Sequence, residues 1–322
     1  MMKKSVLALC AMVLTMLLMV GCGGESKQEK KEAYKPTVKK VVMTYVQAPL
    51  NVPSIVEKER KSFEEAYKSF NLPFEYSTIT SGADQTAALA SGDIQLLNCV
   101  GGSSVLISAA AGADIKIISV YANAPKAFRL FSKDAAIKSP ADLKGKTVAG
   151  PKGTILHELL AAYLKKGGLT MKDVNFVNMG LPAARAALEG GKVDAALQAG
   201  PLAYTAEKAG LHIVTNGEGL VSGLTVNATS AKFYKENKPL VDAFLKVQKD
   251  TLKYMEANKA EAMKMTAKAT QLKPEAVEAM YPLYDFNGEI TAATKKNLQE
   301  TQDFLVSAGI MEKKVDIEKL FF

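Results

Sequence analysis

The chain has 322 residues, 48% of them apolar and 23% charged, with 23 Gly, 12 Pro, 3 Cys and no Trp. That length suits two lobes plus a terminal extension, and the composition excludes collagen-like, low-complexity and disulfide-dense chains. The net charge of +8 gathers near the start: Lys3, Lys4 and the surplus of Lys over Glu in residues 23–40 leave about +3 for the body, and with only Arg60, Arg129 and Arg185 as arginines this excludes a nucleic-acid footprint.

Met1-Met2-Lys3-Lys4 opens a leader whose apolar run, residues 6–20, is too short to span a bilayer comfortably and has the length of an export-signal core. The run ends in Gly21-Cys22-Gly23-Gly24, which resembles a bacterial lipobox with Met19 where Leu is usual. The resemblance implies a signal peptide over 1–21 and a lipid on Cys22. Cys10 leaves with the leader, so Cys99 is the one thiol besides the lipidated Cys22 and no disulfide forms within the mature chain. Residues 22–37 are polar and charged and read as a flexible tether.

The body then shows an internal repeat. A strand over 41–46, a helix from about Pro53, and a β-rich run over 74–80 lead to Ser81-Gly82. Ala88-Leu89-Ala90-Ser91-Gly92-Asp93-Ile94-Gln95 follows, then Gly101, Ala111-Gly112 and a strand over 115–120. The same signals return in order: a strand over 146–149, a helix from about Thr154, a run over 174–179 leading to Gly180-Leu181, and Ala187-Leu188-Glu189-Gly190-Gly191-Lys192-Val193-Asp194 at an offset of 99. Gly200, Ala209-Gly210 and a strand over 211–215 complete it. Residues 231–268, restarted at Pro239, together with 274–281 and 292–308, carry helical spacing.

Alternation of strand and helix predicts an α/β fold of two lobes, each a mostly parallel sheet flanked by helices. The predicted limits are 38–122 for the first part of lobe 1, 123–223 for lobe 2, and 224–322 for the return to lobe 1 and a helical C-terminal tail packed on it. In open sheets of this kind ligands sit beyond the carboxyl ends of the strands, where helix N-termini point.

Asp142-Leu143-Lys144-Gly145-Lys146-Thr147-Val148-Ala149-Gly150-Pro151-Lys152-Gly153-Thr154, Ala111-Gly112-Ala113-Asp114 and the Ala187–Asp194 block together resemble substrate-binding proteins of ABC transporters of the sulfonate, taurine and nitrate type, a group that includes thiamine-pyrimidine binders. The likeness covers roughly residues 38–320. It implies a type II periplasmic-binding-protein fold, delivery of a small anionic solute to an ABC permease and its ATPase, an extracytoplasmic and lipid-anchored monomer, and no cofactor. Where many relatives carry Trp-Glu-Pro, this chain has Ala199-Gly200-Pro201, and the Cys-rich motif of the pyrimidine enzymes is absent. A neutral heterocycle such as a thiamine pyrimidine precursor or riboflavin is the alternative ligand; an exported enzyme or a ligand-free signalling lipoprotein is the alternative class. Two His (His157, His212), no Gly-x-Ser-x-Gly elbow and no metal-ligand spacing argue against an enzyme.

The candidate ligand residues lie where strands meet helices. Gly153, Thr154 and Ile155 form a turn into a helix start that suits an anion, and Thr154 either caps that helix or binds the ligand. Ser81, Gly82, Gly101, Gly102 and Ser103 offer hydroxyls and backbone N–H groups, and Gln47 and Gln198 offer amides at strand ends. His157 reads as a packing histidine behind the loop, Arg129 as either an anion contact or a salt bridge, and Arg185 as a surface residue.

Overall fold

The parallel strands expected from the alternation are present, and each sheet adds one reversed strand that the alternation does not announce. The computed structural model describes residues 34–48 and 50–322; the leader, Cys22 and the tether as far as residue 33 lie outside the described residues. The first half runs β1 (Val41–Thr44), α1 (Val52–Glu59), α2 (Ser62–Lys68), β2 (Phe74–Ser77), α3 (Gly82–Ser91), β3 (Leu97–Gly101), α4 (Gly102–Ala110) and β4 (Lys116–Asn123). The second half runs β5 (Phe128–Ser132), β6 (Thr147–Gly150), α5 (Ile155–Lys166), β7 (Asn175–Asn178), α6 (Leu181–Glu189), β8 (Ala195–Ala199), α7 (Gly200–Lys208) and β9 (His212–Asn216). The chain returns through β10 (Leu224–Thr229) and ends in α8 (Ala231–Glu236), α9 (Lys238–Ala257), α10 (Lys259–Thr270), α11 (Pro274–Met280) and α12 (Ala292–Ser307).

In the first sheet β1 pairs β2 in parallel, and β10 pairs both β3 and β4 antiparallel. A parallel bridge between Met43 and Leu96, with Thr44 N–H donating to the Leu96 carbonyl at 3.1 Å, joins the two pieces into the order β2-β1-β3-β10-β4. The second sheet has the order β7-β6-β8-β5-β9, with β5 antiparallel to both neighbours. The two orders are the same, and the reversed strand takes the same fourth place in each. β5 is the first strand after the chain leaves the first sheet, and β10 is the first after it comes back. Entering from the opposite end, each has to run against its neighbours.

The repeated glycines have a backbone reason. Gly92 and Gly191 lie just past α3 and α6 with φ of 84° and 66°, a conformation that costs glycine nothing and most other residues a clash. The crossings lie side by side: Leu224 pairs Asn123, and Ala124 N–H donates to the Gly223 carbonyl at 3.2 Å. Gly223 has φ of 62°, and a Cβ there would come within 2.6 Å of the Ala124 carbonyl carbon and the Pro125 nitrogen, so only glycine lets the two strands pass this closely.

The C-terminal helices cover the first sheet. Phe63 of α2 stacks between Phe74 of β2 and Phe244 of α9, at 4.9 and 5.3 Å between ring centres, and the Tyr67 hydroxyl donates to the Leu240 carbonyl at 2.7 Å. The helix expected over 231–268 is three helices, broken at Asn237 and Asn258. One apolar cluster runs from Leu50, Val52 and Val56 to Phe128, Ile155, Leu156 and Leu197, so the halves share core where the chain crosses. Among the described residues no helix is long and apolar enough to cross a membrane.

Candidate ligand-binding site

A cavity of about 580 Å³ opens where the carboxyl ends of strands from both sheets meet, a size typical of small-molecule sites. From the first sheet come Tyr45, Val46, Gln47 and Ala48 past β1, Thr78, Thr80, Ser81, Gly82 and Gln85 past β2, and Cys99, Gly101 and Ser104 around the β3–α4 junction. From the second come Phe128 of β5, Pro151, Thr154, Ile155 and Leu156 past β6, Gly180, Leu181 and Pro182 past β7, and Ala199 and Leu202 past β8. The wall is largely apolar, and no Asp, Glu, Lys, Arg or His is among the residues that form it.

Five helices begin at this wall: α3 after Ser81, α4 after Gly101, α5 after Thr154, α6 after Gly180 and α7 after Ala199. The first N–H groups of a helix have no partner within it, and the helix dipole adds partial positive charge there. Several such ends around one space without charged side chains attract a small anion without a cationic side chain.

Of the residues singled out from the sequence, Gln47, Ser81, Gly82, Gly101, Thr154 and Ile155 border the cavity. Some of their donors are already spent. The Gln47 amide donates to the Ala269 carbonyl at 2.9 Å, the Thr154 hydroxyl to the Pro151 carbonyl at 2.9 Å, and the Ser81 oxygen accepts from Asp84 N–H at 3.4 Å as a helix cap.

Gly102, Ser103, Gly153 and Gln198 are not at the wall. Gly102 turns under α4 against Leu298 and Leu224. The Ser103 hydroxyl donates to Glu158 of α5 at 2.5 Å. Gly153 N–H is taken by His157 Nδ1 at 3.2 Å, and Gln198 is fully buried with its amide donating to the Leu181 carbonyl at 3.1 Å.

His157 stacks on Phe176 at 4.8 Å, and its pKa falls to about 4, first because it is buried and then because of the Lys152 charge. It is a neutral acceptor that fixes the Gly153 turn. Arg129 pairs with Glu207 at 2.6 Å beside a smaller cavity of about 220 Å³. Arg185, expected at the surface, is buried, with its guanidinium on Glu189 at 2.6 Å and on the Leu202 carbonyl at 3.2 Å.

Cys99 borders the cavity with φ of 68°, a strained conformation for any residue but glycine. Its thiol donates to Asn51 Oδ1 at 3.3 Å, and burial pushes its pKa up to about 12. Beneath it, Glu57 accepts from Gln248 at 2.7 Å and Asn98 at 3.1 Å, and burial raises its carboxyl to about 8.

The sequence reading passed over Gln85, Phe128 and the start of α6. The repeat itself carried a signal for the last of these, since Gly180-Leu181 answers Ser81-Gly82.

Residues 66–262 match the family described as NMT1/THI5 like, more than half of the chain. The chain belongs to the NMT1/THI5-like family. The chain is 29% identical over 328 residues to a Bacillus subtilis (strain 168) protein that carries the name of an aliphatic sulfonates-binding protein, covering 98% of this chain and 94% of that one. An Escherichia coli (strain K12) protein of the same name is 26% identical over 275 residues, 82% of this chain and 83% of that one. Among solved structures, the alkanesulfonate-binding protein SsuA from Xanthomonas axonopodis pv. citri bound to MOPS superimposes with a TM-score of 0.81 at 26% identity, over 90% of this chain and 99% of that one. The two-lobed periplasmic-binding-protein fold is thus common to the chain and its relatives.

Proposed function

We propose that the chain is the solute-binding component of an ABC import system, that it takes a small organic sulfonate in the cavity between its sheets, and that it hands this solute to a permease driven by an ATPase. The observation that carries the reading is the meeting of five helix N-termini on a cavity whose wall holds no charged side chain. A sulfonate suits such a wall: its charge is spread over three oxygens that accept from backbone N–H groups, and its carbon part contacts Phe128, Leu181 and Leu202. The names of the relatives support the sulfonate class.

In this reading residues 38–122 and 224–322 form one lobe, residues 123–223 the other, and the paired crossings at Asn123–Leu224 act as hinge. Closure is fastened beside the cavity by two bonds from α4: Ser103 to the Glu158 carboxylate at 2.5 Å, and Ser104 to the Gly153 carbonyl at 2.9 Å. Burial holds the Cys99 thiol protonated, and its hydrogen bond goes to Asn51 Oδ1, which favours binding over covalent chemistry. Cys22 holds the body to the outer face of a bacterial membrane through its lipid, and the protein works as a monomer.

Thermal unfolding of ligand-stripped protein tests the reading against alkanesulfonates, taurine, nitrate, sulfate, a pyrimidine precursor and riboflavin. A ligand at about 100 times its Kd stabilises by about 2.7 kcal/mol and raises the midpoint by roughly 5–10 °C. A shift for a sulfonate is the expected result; a shift for a neutral ring compound alone rejects the anion site.

A further inference from the structure

Of the buried side-chain atoms left without a hydrogen-bond partner among the described residues, one belongs to a residue that borders the cavity. Gln85, in the first turn of α3, borders the cavity and is 2% exposed. Its Nε2 donates to the Ile79 carbonyl at 2.8 Å, which fixes the amide, because a flipped amide would set oxygen against oxygen. Its Oε1 is then buried with no hydrogen-bond partner among the described residues. A buried acceptor left unpaired is costly, and side chains in that condition beside a cavity discriminate strongly between ligands that satisfy them and ligands that do not.

We propose that Gln85 is a specificity-determining residue, whose Oε1 receives a hydrogen bond from a neutral donor, a hydroxyl or amide N–H, on the carbon part of the sulfonate. The proposal rests on the sulfonate reading above and narrows it. An acceptor oxygen repels the sulfonate head, so Gln85 belongs to the other end of the ligand. The neutrality of the donor follows from the wall: with no Asp or Glu among its residues, an ammonium would be buried without a counter-charge. The substrate class is therefore a hydroxylated or amide-bearing sulfonate, preferred over both its plain alkyl and its amino counterparts.

Titration calorimetry on the full chain, stripped of carried-over ligand, tests this with matched series. Butane-1-sulfonate, 3-hydroxypropane-1-sulfonate and 3-aminopropane-1-sulfonate have nearly the same shape, and the series is repeated one carbon longer. The expected result at one of these lengths is a hydroxyl compound about tenfold tighter than the alkyl one, and an amino compound weaker than either. Gln85→Leu removes the hydroxyl advantage while alkyl binding persists, and Gln85→Glu moves the preference towards the amino compound. A hydroxyl advantage absent at both lengths, or one that survives in Gln85→Leu, overturns the role of Gln85. So does tightest binding of the amino compound by the unmodified protein. If Gln85→Leu fails to fold, the series on the unmodified protein decides alone. Binding of no sulfonate at all defeats the underlying sulfonate reading, a result distinct from alkyl binding without hydroxyl preference.

Discussion

Gly180 offers a way to put a negative charge in the cavity without disturbing the fold. It is the N-cap of α6, with extended backbone at φ −66° and ψ 161°, and a Cβ built on it meets nothing within 4 Å. Asp is among the best N-cap residues, so Gly180→Asp should leave the melting temperature unchanged or slightly higher. Its carboxylate would lie on the order of 5 Å from a bound sulfonate, and at an effective dielectric of about 20 the repulsion is about 3 kcal/mol. Affinity should fall by more than about a hundredfold. Gly180→Asn, equal in shape and uncharged, should stay within a few-fold of the original. Calorimetry with the best sulfonate, run beside thermal unfolding on all three proteins, reads both quantities. If Gly180→Asp binds as tightly as the original while melting at the same temperature, the anion does not sit among these helix ends.

Ser103→Ala removes the donor that ties α4 to the Glu158 carboxyl group of α5. Burial raises the Glu158 pKa, so the bond is taken at the ordinary value of about 1 kcal/mol and Kd should rise about fivefold; an unchanged Kd with a lowered melting point would mean that the bond is static and plays no part in closure. Gly82→Ala drives a Cβ into the Ser104 hydroxyl and displaces it from the Gly153 carbonyl, so it should weaken binding several-fold in calorimetry. Glu57 keeps a proton to about pH 8 in the native chain, against an ordinary 4.5, so its stabilising effect is full below the unfolded value and is lost as pH rises through about 8. Urea unfolding between pH 5 and 8 should show stability falling by about 1 kcal/mol per pH unit from this group, and Glu57→Gln should flatten that slope. Equal slopes in both proteins would place the Glu57 carboxyl near its ordinary value.

Much of this architecture was legible because the repeat is enforced by backbone geometry. Gly92 and Gly191 recur at the same offset since each ends a helix in a conformation that favours glycine. Strand direction left no such trace: β5 and β10 are buried like the other inner strands, and only the route of the chain reverses them. The site residues divide by helix geometry. Gly101 and Ser104, three apart at the start of α4, share the face towards the cavity, while Gly102 and Ser103 turn beneath it. The Gly153 N–H was lost to His157 and the Gln198 amide to Leu181, tertiary contacts that no local pattern marks. Gln85 was missed because a glutamine one turn into an amphipathic helix reads as an ordinary solvated residue.

The most direct measurement is a crystal structure of the protein with an alkanesulfonate bound. The sulfonate oxygens should lie within hydrogen-bond distance of backbone N–H groups at the starts of helices from both sheets, around Ser104, Ile155 and Leu181, with the carbon chain against Phe128 and Leu202. A sulfonate found instead in the smaller cavity beside Arg129 and Lys208, with the large cavity holding only water, would contradict it.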